Sequence, residues 1–336
     1  MRLGGLDAAR FAAFVGMVLV NFRIAAGVSA DGGYASGFIN LLEGRAAALF
    51  VVLAGIGFVL GRFDTIITLK RALFLFVLGM LNQTIFEADI IHFYALYFVV
   101  ALPFTGMSGR GLLVLAGLTL LISTAALIGL DYEQGWDWDT LQYADFWSFS
   151  GFIRNSFYNG WHPVLPWIAF FFIGMWVGKM ALEQSVTQKR LIIGGIVVAV
   201  LAGLLSRWLS ALDPQLADLF GTSSIPPGPL YIIAASGSAV AMIGLFLQIF
   251  PMLERIGVEN WLTAPGKMSL TLYIAHILLG MGLLEALGLL GGSLSNTTIL
   301  TYAITFCLIA ALFARAWFTK VSRGPLEGLM RKMTKG

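Results

Sequence analysis

Ten apolar runs, at about residues 8–28, 46–61, 72–87, 90–106, 110–130, 163–181, 190–210, 230–251, 268–290 and 297–319, restrict this chain to one solvent. A helix needs about 20 apolar residues to cross roughly 30 Å of hydrocarbon. Because lipid offers no hydrogen bonds, each segment must satisfy its own backbone, which predicts helices rather than open sheet. Composition agrees: 58% of the residues are hydrophobic, 12% are charged and mean hydropathy is +0.86. Soluble domains carry about a quarter charged residues. The expected fold is all-α, a polytopic bundle of about ten transmembrane helices in a single domain over residues 1–336. The runs at 46–61, 72–87 and 90–106 are short, so tilt and half-buried ends govern their boundaries. The 39 glycines suit helices whose backbones approach closely.

Basic residues orient the bundle. With both termini in the cytoplasm, only Arg23, Arg45, Arg154 and Arg207 of the 21 Lys and Arg fall at outer ends, as the positive-inside tendency favours. Arg62, Lys70 and Arg71 mark one inner loop, Lys179, Lys189 and Arg190 another, and Lys320, Arg323, Arg331, Lys332 and Lys335 a basic tail. The net charge of +3 and pI near 9.0 follow from this topology and imply no nucleic-acid partner. Val28-Ser29-Ala30 imitates a signal-peptidase site, but Asp7, Arg10, Asn21 and Arg23 punctuate the segment before it, which is read as a retained first helix.

One cysteine, Cys307, allows no intrachain disulfide and no cysteine cage. The three histidines form no helical pair at i, i+4, and no bound metal is expected. The outer loop at 131–161 interleaves Asp131, Glu133, Asp137, Asp139 and Asp145 with Trp136, Trp138, Tyr143, Phe146 and Trp147. Two readings stand: an interfacial aromatic belt with solvated carboxylates, or a lid whose flat rings stack on a carbohydrate.

Chemistry concentrates at Glu87-Ala-Asp-Ile-Ile-His-Phe-Tyr94, between two apolar runs. Asp89 and His92, at i and i+3, would share one face if the following helix began early enough, with Glu87 and Tyr94 near enough to set the imidazole tautomer. His162 maps to the same outer side, and His276 lies deeper, about 12 Å along its helix. Glu43 and Arg45 add an outer carboxylate and guanidinium that read as an ion pair. Charges near a membrane are costly unless paired or wet, so they mark cavities. At the inner side, Asp7 and Arg10 can pair at i, i+3, and Arg10, Lys70, Arg71 and Lys267 can form a phosphate-binding mouth. Asn21 lies well inside the first helix, and Asn82 and Gln83 near the outer end of the third; interhelical hydrogen bonding is their simplest role.

Several phrases resemble a known family. Gly5-Leu6-Asp7-Ala8-Ala9-Arg10 with Gly16 to Phe22, Leu42-Glu43-Gly44-Arg45 through Phe50, Asp89 to Tyr94, Pro163 to Gly174, Gly266 to Thr271 and Arg323 to Glu327 are similar to successive motifs of the YeiB-like bacterial membrane proteins. The opening also resembles the heparan-glucosaminide N-acetyltransferase catalytic domain. The resemblance implies the transmembrane acyltransferase superfamily: helical bundles in the bacterial cytoplasmic membrane that pass an acyl group from cytoplasmic acetyl-CoA or another acyl-CoA to a small-molecule or carbohydrate acceptor. The animal branch relies on a histidine after the first helix, and residues 28–45 contain none. His92 then stands as base by location, oriented by Asp89. Arg45 or Asn21 would stabilise the oxyanion, with Glu43 and His162 beside them. Arg10, Arg71 and Lys267 would hold the CoA phosphates, and the pantetheine arm would pass His276. Beyond the lipid bilayer the expected partner is the acceptor, and a homodimer is an allowed assembly. The rival is a proton-coupled small-solute transporter in which Glu43, Asp89 and His92 relay protons. Neither an inverted repeat nor a broken helix is legible to favour it.

Overall fold

The computed structural model describes residues 3–61 and 64–335, the last without its side chain. Arg62, counted among the inner-loop basic residues, lies outside the described residues. The chain folds into helices α1 (Gly4–Ala25), α2 (Tyr34–Leu42), α3 (Arg45–Leu60), α4 (Thr65–Gln83) and α5 (Ile91–Ala101), the last running into a 3₁₀ turn at Leu102–Phe104. Then follow α6 (Gly109–Gly129), a two-stranded antiparallel hairpin of β1 (Trp136–Asp137) and β2 (Gln142–Tyr143), α7 (Phe149–Arg154) with a π turn at Asn155–Asn159, and α8 (Val164–Gly178). The rest is α9 (Ser185–Leu212), α10 (Gln215–Phe220), α11 (Pro229–Arg255), α12 (Glu259–Lys267), α13 (Ser269–Ala275), a π turn at His276–Met281, α14 (Gly282–Ala286), α15 (Asn296–Phe318) and α16 (Pro325–Lys335).

Among the described residues, eight helical stretches are long and apolar enough to span a membrane. A ninth candidate is the pair Phe149–Asn159 and Val164–Gly178, bent by 47°. The run at 90–106 becomes the shorter apolar helix Ile91–Phe104, so the expected ten segments are present with unequal spanning capacity. The 47° break and the π turn at His276 correct the expectation of unbroken helices. Starts also shift. Asp64 caps α4 by accepting the Ile67 N–H at 2.8 Å, which begins the helix at Thr65. Lys70 and Arg71 therefore ride on α4, and Lys189 and Arg190 on α9, not in loops; long basic stems tolerate such sites because their heads reach polar surroundings. Ser108 and Ser295 cap α6 and α15 in the same way.

Two compact units result. The first comprises Met1–Phe50, Glu183–Lys189 and Met242–Gly336, the second Val51–Leu182 and Arg190–Ala241. In the first, α1 is the central helix: 72% of its apolar window is buried, and it packs on α2, α12, α13 and α15. Cys307 of α15 is a buried free thiol. In the second, α4 packs on α5 and α8 on both α5 and α6.

Small residues set the closest approaches. A Cβ on Gly174 would stand 2.1 Å from the Val52 carbonyl oxygen, and one on Gly55 2.2 Å from that of Phe171, so α3 and α8 meet backbone to backbone within the second unit. The same holds for Gly195 and Gly237, which join α9 to α11. Without a hydrophobic drive between helices in lipid, such contact is what holds them together. Gly194 and Gly195 provide an internal comparison, since a Cβ on Gly194 meets nothing within 4 Å and one on Gly195 would stand 2.5 Å from the Gly237 carbonyl. Gly195→Ala is expected to destabilise by about 1–3 kcal/mol through overpacking. Gly194→Ala should be neutral or stabilising by up to about 1 kcal/mol through helix propensity. Thermal unfolding of the two variants in one detergent checks the contrast.

Candidate active site

The sequence-predicted residues divide between the two units. In the first, the buried Asp7 accepts from Arg10 at 2.6 Å, one helical turn on. Gly266 lies against the Asp7 backbone, where a Cβ would meet its carbonyl oxygen at 1.8 Å. Lys267, the last residue of α12, therefore stands at the same end of α1 as Arg10. The pairing of Asp7 with Arg10 anticipated from spacing is present.

Deeper in this unit, Asn21 and His276 meet directly. The Asn21 amide donates to His276 Nε2 at 3.1 Å, and His276 Nδ1 contacts the Tyr273 carbonyl oxygen. Both residues are buried, and Phe14 and Phe22 flank the imidazole. A carbonyl can only accept, so it selects the Nδ1–H tautomer and leaves Nε2 to accept from Asn21. Asn21 is thus committed to His276, which argues against its expected role as an oxyanion donor. Glu43 is likewise paired differently from expectation. It accepts from Arg23 at 2.5 Å, and the same guanidinium donates to Asn40 Oδ1 at 2.5 Å. Arg45 is the partly buried first residue of α3. A one-dimensional spacing rule favoured the neighbour two positions away; the return of the chain through α2 brings Glu43 to the end of α1 instead.

In the second unit, Asp89 precedes α5 rather than lying on it. Its Oδ2 accepts the Ile91 N–H at 2.8 Å and its Oδ1 the Asn82 amide at 2.6 Å. A fully buried carboxylate is tolerable here because two donors and the N-terminus of α5 face it. His92 Nδ1 stands 3.6 Å from Asp89 Oδ2, close enough for electrostatic orientation and too long for a hydrogen bond. Neither nitrogen of His92 has a hydrogen-bond partner among the described residues, and the ring is fully buried. Gly79 of α4 makes room for it, since a Cβ there would stand 2.3 Å from the His92 backbone nitrogen.

His162 joins the same region. Phe93 lies between the two histidines, its ring centroid 3.9 Å from that of His92 and 5.9 Å from that of His162. Tyr97, one turn on, donates to the His162 carbonyl at 2.6 Å. The 47° break between α7 and α8 is what turns His162 towards α5. Trp167 completes the group: its ring is 4.6 Å from His162, and its buried Nε1–H, like His162 Nδ1, has no hydrogen-bond partner among the described residues. Sequence reasoning missed Trp167, Asn40 and the partnering role of Arg23. Their only signal was a polar atom deep in an apolar run, which names a seeker but not its partner. Arg71 belongs to this unit, on α4, with a buried Nε that has no hydrogen-bond partner among the described residues.

Next to His92, an aromatic cleft of about 290 Å³ is lined by Phe76, Met80, Phe146, Trp147 and Phe152. Phe146 meets the His92 ring edge-on at 6.0 Å. The 131–161 loop is held mainly by its own polar groups. Asn159 donates to the carbonyls of Tyr132 and Gln134 at 2.8 Å each and accepts from the Tyr143 hydroxyl at 2.7 Å. Arg154 bridges Asp145 and Tyr143, and Trp136 stacks on Trp138 with centroids 4.4 Å apart. Asp145, Glu133 and Asp137 are therefore engaged inside the loop. Glu87 does not turn to His92 as expected; it accepts the Tyr143 N–H at 3.1 Å and ties the loop to the α4–α5 turn. Among the described residues, no group of three or more His, Cys, Asp or Glu is placed to hold a metal ion.

Helices of this length and apolarity, with polar groups paired inside them, define an integral membrane protein of the all-α polytopic class. Residues 2–208 match the family model described as heparan-alpha-glucosaminide N-acetyltransferase, catalytic, over more than half of the chain, and the chain belongs to that family of membrane acetyltransferases. Residues 177–336 match a second model, a protein of unknown function (DUF418), the YeiB-like family. No curated protein matches the chain.

Burial raises the Glu87 carboxyl above its ordinary range, against the lowering effect of the Tyr143 N–H. The fold thus binds this proton more tightly than the unfolded chain does. Its stabilising effect is complete below the ordinary carboxylate value and is lost as pH rises through the raised one. Glu87→Gln is expected to flatten the fall in thermal stability across that window, as melting curves of both proteins from pH 4 upward would show.

Proposed function

We propose that the protein is a membrane-embedded acyltransferase, moving an acetyl or other acyl group from acyl-CoA to a hydroxyl or amine, most simply on a sugar or glycan. The observation that carries the reading is the match of residues 2–208 to an acetyltransferase catalytic family. The second unit supplies the chemistry that such a transfer needs. His92, with unengaged nitrogens and Asp89 at 3.6 Å to orient it, takes the proton from the acceptor O–H or N–H. The acceptor atom then bonds to the thioester carbonyl carbon. As the tetrahedral intermediate collapses, the carbon–sulfur bond breaks and His92 returns the proton to the departing thiolate. The unpartnered Trp167 Nε1–H and the His162 imidazole are donors suited to the transient oxyanion. Arg71, on α4 of the same unit, is a cation suited to a phosphate of the donor. The distribution of basic residues supports a cytoplasmic location for both termini in a bacterial inner membrane.

A proton-coupled transporter remains the second reading, favoured by the 47° break between α7 and α8, because broken helices frame transport sites. The two part at the donor. Purified protein should release heat on titration with acetyl-CoA and transfer labelled acetyl groups to a glycan acceptor; absence of heat at millimolar ligand would favour transport. His92→Asn is expected to lower the transfer rate by about 10²–10⁴ with an unchanged melting temperature. Transfer at the parental rate would remove His92 from the mechanism.

A further inference from the structure

The helix α16 is strongly amphipathic, and among the described residues no element covers its exposed side. α16 starts just after α15, a 23-residue spanning candidate, and the turn between them is fixed by the Trp317 indole N–H donating to the Arg323 carbonyl at 2.7 Å. A helix that starts so soon after a span ends lies at the level of the lipid headgroups. Its inner face is anchored to the protein. Glu327 accepts the backbone N–H groups of Leu270 and Thr271 at 2.9 and 3.2 Å and the Thr271 hydroxyl at 2.6 Å, while Thr271 Oγ1 accepts the Leu326 N–H at 3.0 Å. Thr334 is buried on the same side.

Two arcs remain outside. Leu329 and Met333, one turn apart, are 46% and 61% exposed, too apolar for water. Arg331 and Lys332 project elsewhere on the helix, and Lys320 and Arg323 are exposed in the turn before it. Glu327, the one acid of residues 319–335, is turned inward onto α13, so every charge this segment exposes is positive.

We propose that α16 lies in the membrane interface and docks on anionic phospholipid headgroups, with Leu329 and Met333 at the acyl boundary and Lys320, Arg323, Arg331 and Lys332 on the phosphates. Apolar insertion together with cationic flanks is the combination that holds interfacial helices, about 5–10 Å into the headgroup and acyl boundary. Through Glu327 this contact reaches the first turn of α13, whose last turn carries Tyr273 and leads to His276. The lipid surface thereby sets the position of a helix that orients a buried histidine.

The test uses the full chain in bilayers, in a Cys307→Ala background, spin-labelled either through Met333→Cys or through Gly328→Cys, whose added Cβ meets nothing within 4 Å. In bilayers containing phosphatidylglycerol, the label at position 333 should be several-fold more accessible to oxygen than to an aqueous nickel reagent, and the label at position 328 the reverse. Replacing Lys320, Arg323, Arg331 and Lys332 together by Gln, or phosphatidylglycerol by phosphatidylcholine, should move the 333 label outwards. A 333 label exposed to water in the anionic bilayer would overturn the proposal. Equal depth in the two lipids, or no response to the four substitutions, would overturn the headgroup contact.

Discussion

In hydrocarbon a polar side chain has no water to fall back on, and the whole organisation of this protein follows from where each buried polar atom finds its partner. Asn21 finds His276, Arg23 finds Asn40 and Glu43, Asn82 finds Asp89, and Glu327 finds Thr271 and the start of α13. Each of these pairs joins segments that the apolar periodicity leaves free to rotate about their axes. An unpaired amide or carboxylate in lipid costs several kcal/mol, far more than the packing difference between two rotations of an all-apolar helix. Polar pairing therefore fixes rotation, and glycine contacts fix distance. The second effect is clearest where Gly55 and Gly174, or Gly195 and Gly237, let backbones touch.

Against that background, the exceptions carry chemical meaning. Among the described residues, His92, His162 and Trp167 hold buried nitrogens with no hydrogen-bond partner, while Asp89, Asn82 and Asn159 near them are engaged. Asp89 could have paired fully with His92 but divides itself between Asn82 and the N-terminus of α5, standing 3.6 Å from the imidazole. The imidazole is oriented without being consumed. That suits a group whose lone pair is to be spent on a substrate proton. His276 is the contrasting case, since both its nitrogens are used within the first unit.

The helices were legible because a run of apolar residues determines both its secondary structure and its solvent, and Asp7 with Arg10 was legible because the pair is local. The approach of Asp89 to His92 was legible for the same reason, although its geometry was not, because the start of α5 at Ile91 leaves Asp89 before the helix, where it accepts the Ile91 N–H. What spacing could not give was any partner brought by the chain's return. Glu43 looked towards Arg45 and reached Arg23, Glu87 looked towards His92 and reached Tyr143, and Asn21 had no visible partner until the His276 turn was placed beside it. The aromatic 131–161 loop was read correctly as acidic and aromatic, but its dependence on the single Asn159 side chain is a property of three dimensions.

The π turn at His276–Met281 holds one more residue than an α-helical turn would, and that surplus has a consequence for everything beyond it. At about 100° per residue, the same residues wound as an unbroken α-helix would carry every position beyond Met281 nearly one residue further around the axis, and Leu284 would leave its buried place. The Gly280 carbonyl, which now accepts from Tyr302, would leave its donor behind. The width of the turn is therefore a structural variable beside residue identity: it keeps Leu284 inward, and the Tyr302 hydroxyl on the Gly280 carbonyl ties the widened turn to α15.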